Sequence, residues 1–506
     1  MLSEETGISA SEAIHLLHRQ RPSRRRFLAT LAGGAAIAGE AYSEARGRTM
    51  DVGIVGAGLA GLMCAHELRR RGVKQVTIYE AAYRAGGRIW TLRDYFPAQV
   101  AERGAELIDS RHKVMRRLAR SFNLRLEDLS KQPGDLTFFF GGARVPESTI
   151  VEEFRAIAPA LKRERRSLSN RPNALRHTPN DRMLDRQNLR EFLERLQAPP
   201  LAFKALEQAY EAEYGLEIED QSALNLLLFL DFRGKSHFDP YGAISDERYH
   251  IREGNDSIIG NLSNAMRDAL QLGMALRRVA RTAAGAIELI FEQDRRTIRK
   301  THEAAVLAIP FTVLRDVELD SSLSLPESKL RAIRELGYGT NAKMKVGFAG
   351  RPWQKVNSNG SSYSDLENHQ ATWETNPTQA RPDRAILTDY SSGRRGARLD
   401  PADVQREARR FLADLNLVYP GAEQRARRHG DEIMVHLQHW PSHPLTRGSY
   451  TCYRPGQFTA LAGHEATSAG NLFFAGEHTD SFFDWQGFME GAARSGLRAA
   501  AEILKA

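Results

Sequence analysis

A chain of 506 residues is too long for one compact domain and implies two or three. Its 42% hydrophobic and 26% charged residues are those of a globular protein, and a net charge of +8 is modest for this length, so a basic run such as residues 161–172 (LKRERRSLSNRP) is expected to be a solvated face with no nucleic-acid partner. The two cysteines, Cys64 and Cys452, stand in no metal-ligand spacing, which argues against a disulfide framework and against a metal site.

In chain order the first feature is a targeting segment. Arg24 and Arg25 precede Phe27 and Leu28, and a short run of small residues follows to Gly39. The run is too short to span a bilayer, so no stable membrane span is expected. Residues 23–28 (SRRRFL) resemble a twin-arginine export signal, which carries folded proteins to the periplasm or beyond, and residues 1–46 are therefore set apart from the fold.

Residues 51–80 read as one strand–turn–helix–strand unit. An apolar run, Val52 to Val55, enters Gly56-Ala57-Gly58-Leu59-Ala60-Gly61, a helix runs to about Arg71, and Gly72 is placed to stop it. Gly56 serves the tight turn, Gly58 lets backbone approach a pyrophosphate, and Gly61 allows helix and strand to pack closely. The helix N-terminus offers free N–H groups to phosphates. VTIYE is the second strand, and its terminal Glu80, 19 residues past Gly61, suits ribose hydroxyls, with Ala81 next to it. This is a Rossmann-type dinucleotide site. Only one such glycine unit is present, which weighs against a second, nicotinamide-binding site.

Two further stretches carry a family resemblance. Residues 81–91 (AAYRAGGRIWT) place Gly86-Gly87-Arg88 just beyond Glu80, and residues 471–504 contain AGEHT and GFMEGAARSG, a strand, a loop and a helix starting near Gly487. Together they resemble the flavin-containing amine oxidases. The resemblance implies non-covalent FAD, with Gly86, Gly87 and Arg88 at the pyrophosphate, Gly476 and Glu477 at the ribityl–phosphate, and the Met489 N–H at the pyrimidine end. Val279, in the returning segment 277–291, is then the adenine contact, and Ala105, Glu106 and Leu107 line the cofactor from the turn AERGAELID. The implied fold is α/β: a discontinuous Rossmann-type FAD-binding domain (49–108, 251–330 and 455–506) and an α+β substrate-binding domain (109–250 and 331–454). Residues 162–184 are read as a lid or surface insertion, and a homodimer is possible.

The same resemblance supplies the catalytic candidates. Lys343, ten residues before Trp353, matches a buried lysine that holds a water near the flavin N5. Trp440 matches a tryptophan packed by the flavin, and Tyr450 and Phe488 match the two aromatic walls before it. Ser449 stands where animal monoamine oxidases carry the flavin-linked cysteine, and serine cannot form that thioether. Leu107 stands where venom-type L-amino-acid oxidases place a carboxylate-clamping arginine, and Glu106 beside it is a candidate to meet a second substrate ammonium. The leading expectation is an oxidase of L-amino acids using molecular oxygen. The alternatives are an oxidase of primary amines or polyamines, and a flavin-stabilised binding protein without turnover.

Overall fold

The computed structural model describes residues 50–230, 236–242, 245–480 and 485–506. The expected export signal lies outside the described residues. Among those described, no helix is long and apolar enough to cross a membrane.

The first half is organised by a five-stranded parallel sheet in the order Leu472–Phe474, Ala304–Leu307, Asp51–Val55, Gln75–Glu80, Leu270–Leu272. Its central strands are nearly continuous apolar residues because both faces are covered. The glycine helix, Leu59–Arg70, covers one face and ends in Arg69 and Arg70, which suit its negative pole. No acidic residue occupies its first turn, and its N-terminal N–H groups stay available to an anion. A Cβ on Gly61 would lie 1.9 Å from the Gly56 carbonyl oxygen, so only glycine permits this approach of helix to turn. The C-terminal helix, Met489–Ile503, lies on the glycine helix at similar range: a Cβ on Gly496 would sit 2.2 Å from Ala60 O. The two ends of the chain thereby share one apolar core, in which Leu62, Ala65, Ala493 and Ile503 are fully buried. A four-stranded sheet, Arg296–His302, Ile287–Gln293, Ala275–Arg281 and Glu318–Leu319, completes this half.

The second half is built on a seven-stranded sheet in the order Val435–His439, Ala342–Phe348, Ala385–Ser391, His369–Thr375, Ser358–Leu366, Asp135–Phe140, Ala143–Val145. The strand Ala342–Phe348 pairs antiparallel on both sides, and all seven of its residues are buried. Alternation sends Met344, Val346 and Phe348 into an apolar cluster with Phe411 and Leu415, and Lys343 and Lys345 to the opposite face. Helix Pro200–Tyr214 packs on the same sheet and delivers Glu213 and Tyr214 at its C-terminal end, where Gly215 adopts φ +76°. Residues 162–184, read from sequence as a lid or surface insertion, comprise the end of helix Glu147–Ser167, a connection, and most of helix Pro179–Arg186. Thr178 and Asp181 cap that second helix reciprocally, and Asp181 also accepts from the Ser169 N–H, which fixes the connection.

Candidate functional site

A cavity of about 560 Å³ runs between the two halves. One end is lined by Gly56, Gly58, Glu80, Ala81, Gly86, Gly87 and Arg88. A Cβ placed on Gly58 would meet nothing within 4 Å, so the space above this turn is open. Glu80 is buried, and its carboxylate oxygens accept from Ala57 N (2.7 Å) and Ala82 N (2.9 Å). Burial raises its pKa against those two N–H groups, leaving an acceptor poised for a hydroxyl donor in the cavity. Ala57 contributes that N–H, while neither it nor Gly61 belongs to the cavity wall.

Arg88 and Glu477 join the two distant motifs. Arg88 Nη1 donates to Glu477 Oε1 (3.0 Å) and to the Ser449 carbonyl. The other Glu477 oxygen accepts from Thr451 Oγ1 (3.0 Å) and Gly487 N (2.8 Å). The loop before the C-terminal helix is thus tied to the glycine-pair turn, and Gly476, Phe488 and Met489 reach the cavity wall beside Ala105, Glu106 and Leu107. Glu490 anchors the same helix by accepting from Val114 N and Met115 N.

Val279 does not reach the cavity. It is fully buried in the apolar core, and Met274, Ala275, Leu276 and Arg277 form the wall instead. A bulge between Leu276 and Arg278 sets the register of this strand against its partner, so Val279 faces the core.

The other end of the cavity is aromatic and acidic. Tyr214, Phe229, Trp373, Tyr390, Tyr450 and Phe488 line it. Tyr450 and Tyr390 share a hydroxyl–hydroxyl bond of 2.9 Å, and Tyr390 packs edge-on to Trp373 at 5.3 Å. Phe488 is wedged against His112 at 5.4 Å. Trp440 also lines the cavity, with its Nε1 donating to Arg103 O (3.1 Å). A Cβ on Gly104 would fall 2.8 Å from the Trp440 ring and 2.0 Å from Arg88 O, so the turn at residues 103–107 depends on glycine for its close fit. Ser449 Oγ donates to Asn341 Oδ1 (2.6 Å). Acid precipitation of the holoprotein is accordingly expected to leave the yellow cofactor in solution, and flavin retained in the pellet would show a covalent link.

Lys343 Nζ donates to Gly104 O (2.8 Å) and to Glu106 Oε2 (2.7 Å). An ammonium has three donors, so one remains for the cavity between the Trp373 and Tyr390 rings, 5.1 and 5.4 Å away. Glu106 is therefore committed to protein partners rather than turned to a substrate ammonium. Its second oxygen accepts from Trp373 Nε1 (2.9 Å), and Lys345 Nζ also reaches it at 3.3 Å. Burial would raise the Glu106 carboxyl, but the Lys343 and Lys345 charges outweigh it and hold it at about 2.

Two acids that sequence reading did not single out, Glu213 and Glu247, also line this end. Among the described residues neither carboxyl has a hydrogen bond or ion pair. Glu247 is aimed by its backbone: its N–H donates to Asp109 Oδ1 (2.7 Å) and its φ is +43°. Burial, then repulsion from Glu247 and Asp109, lifts Glu213 well above the ordinary carboxyl range. Burial and the Asp109 charge lift Glu247 in the same direction. No local motif marks either residue. Lys345, by contrast, could have been suspected from strand alternation, two residues from Lys343, whereas the aromatic partners of Tyr390 are brought to it by the fold.

This donor set fits FAD: open space over the glycine turn, an acceptor at the end of the second strand, an arginine at the glycine pair, and a helix N-terminus beside an aromatic slot. Comparison with known proteins agrees. The L-amino-acid oxidase of Siganus canaliculatus is 26% identical over 468 residues, covering 89% of this chain and 85% of that one. Among solved structures, cyclohexylamine oxidase from Brevibacterium oxydans IH-35A superposes with a TM-score of 0.76 at 21% identity, over 90% of this chain and 99% of the other. Putrescine oxidase bound to putrescine gives 0.74 at 20% identity, over the same 90% and 99%. The family model for flavin containing amine oxidoreductases matches residues 59–504. The chain belongs to the flavin-containing amine oxidoreductase family and is an FAD-dependent protein of that fold.

Proposed function

We propose that this protein is an FAD-dependent oxidase of amines that carry a second positive charge, such as diamines and polyamines. The observation that carries this reading is the pair Glu213 and Glu247, two acids at the aromatic end of the cavity whose carboxyls have no partner among the described residues. Among the described residues, the arginines of the cavity wall, Arg84, Arg88, Arg277 and Arg447, include none that serves this end: Arg84 lies over Trp90 and bonds to Ala85 O and Gly87 O, Arg88 is engaged with Glu477, Arg277 with Glu292, and Arg447 with Asp316. Leu107 offers nothing to a carboxylate either. A cation entering here finds two acids that ionise in its presence, whereas a carboxylate meets acids and aromatic faces.

When bound, FAD accepts the hydride equivalent from the C–H beside the amine nitrogen and passes two electrons to oxygen. The protein's part is to place the amine. The slot between Tyr450 and Phe488 excludes water and favours the neutral amine, whose lone pair assists C–H cleavage. Lys343 keeps one donor for the cavity, where it would hold a water beside the bound flavin. The overall change is amine, oxygen and water to aldehyde, ammonia and hydrogen peroxide.

Oxidation of L-amino acids is the second reading, and it is favoured by the names of curated relatives that span nearly the whole chain. The two are separated by matched pairs of substrates. Peroxide release is expected from 1,4-diaminobutane, weakly from butylamine, and much less from L-ornithine, which is the same diamine with a carboxylate added. Equal turnover of L-ornithine and L-norleucine would establish the amino-acid reading in its place.

A further inference from the structure

Lys343 and Lys345 lie two residues apart on one face of a strand whose residues are all buried. Both ammoniums reach the same oxygen of Glu106, at 2.7 and 3.3 Å, and the second oxygen is occupied by Trp373. Lys345 also donates to Thr388 Oγ1 (2.6 Å), itself hydrogen-bonded to Thr375. Lys343 and Glu106 line the cavity, while Lys345 stands behind them with its side chain 1% exposed. One carboxylate cannot neutralise two ammoniums. The cluster carries a charge of one when both lysines are protonated and none when one has lost its proton. We propose that Lys345 is a positioning residue that acts through Glu106, and that its gain and loss of a proton sets the net charge the Lys343 cluster presents to the flavin.

Burial in a water-excluded strand, partly offset by Glu106 and reinforced by Lys343, pulls Lys345 down to about 7. Other titratable groups face the cluster from the elements around it. Glu102 and Asp389 are each raised to about 7, chiefly by burial. Burial raises Glu247 and Tyr390, and it lowers His436 to about 4. Glu102 and Asp389 fall in the same pH range as Lys345, so they serve as controls.

The test is a pH titration of the visible spectrum of the oxidised holoenzyme through neutrality, without substrate, so its outcome does not depend on which amine is oxidised. Wild type is expected to titrate near the Lys345 value of about 7. Lys345→Arg stays charged throughout and is expected to keep the low-pH spectrum at all pH values; Lys345→Met is expected to keep the high-pH spectrum. Glu106→Gln removes the attracting carboxylate and should move the midpoint down by about one unit or more. Glu102→Gln and Asp389→Asn should keep the titration, with a downward shift of the midpoint smaller than that of Glu106→Gln. Reoxidation of the photoreduced enzyme by oxygen should follow the same midpoints. A titration that persists in both Lys345 variants, one that is lost in Glu102→Gln or Asp389→Asn, or a wild-type spectrum that does not titrate would overturn the proposal.

Discussion

Replacing Lys343 by methionine is expected to slow reoxidation of the reduced enzyme by oxygen about 100-fold, the scale for removing one preorganised charged donor from a water-excluded site. Reduction by substrate should slow by less than about 10-fold, because orientation of the amine rests mainly on the aromatic slot. The structure gives the reason for the asymmetry. Lys343 Nζ is held by Gly104 O and Glu106, leaving one donor for the cavity rather than for the slot walls. Methionine matches the lysine stem in volume, and Glu106 keeps Lys345 and Trp373 as partners, so the fold should survive. Stopped-flow absorbance of the two half-reactions checks this directly. A variant slowed equally in both halves would show that Lys343 only supports the architecture.

The second large effect is expected at the acid pair. Glu213→Gln and Glu247→Gln should each raise KM for 1,4-diaminobutane about 100-fold, within the roughly 2–5 kcal/mol scale for losing one partner of a buried charge pair. KM for a monoamine should change little, since its single nitrogen is engaged at the flavin end. The sign of the pH dependence follows from the raised carboxyls. Both acids hold their protons above the ordinary carboxyl range, so a dication must displace protons to bind, and diamine affinity should improve as pH rises through their titration. In either glutamine variant that improvement should shrink. Steady-state kinetics against both amines across pH would expose the alternative: a parallel loss of both substrates means that the acids merely shape the cavity.

How much of this was legible in the sequence depends on the range of the interactions involved. The dinucleotide unit was legible because its requirements are local: a turn that needs glycine, a helix start free of acids, and an acid at the end of the next strand all fall within residues 51–80. Gly476, Glu477 and the helix beginning near Gly487 were legible through the family resemblance, and the ion pair of Arg88 with Glu477 explains why two motifs so far apart in the chain occur together. Lys343 and Tyr450 could be picked out, but only by resemblance, since a lysine in an alternating strand is ordinarily exposed.

Val279 shows where local reading stops. In a strand, one residue of register decides which face a side chain takes, and the bulge between Leu276 and Arg278 shifts that register in a way no pattern in ALRRVAR announces. Glu106 was visible as an acid on a turn, yet its partners come from two strands of the seven-stranded sheet, Lys343 and Lys345 on one and Trp373 on the next but one. Glu213 and Glu247 come from the end of a helix and from a loop, and nothing in their neighbouring residues distinguishes them from solvated surface acids. The sequence by itself determined the cofactor site and the fold that holds it, because glycine turns, caps and strand alternation act over a few residues. The tertiary structure alone decided which charges face one another in the cavity, because burial and pairing between segments far apart in the chain, such as Glu106 with Lys343, are set by packing.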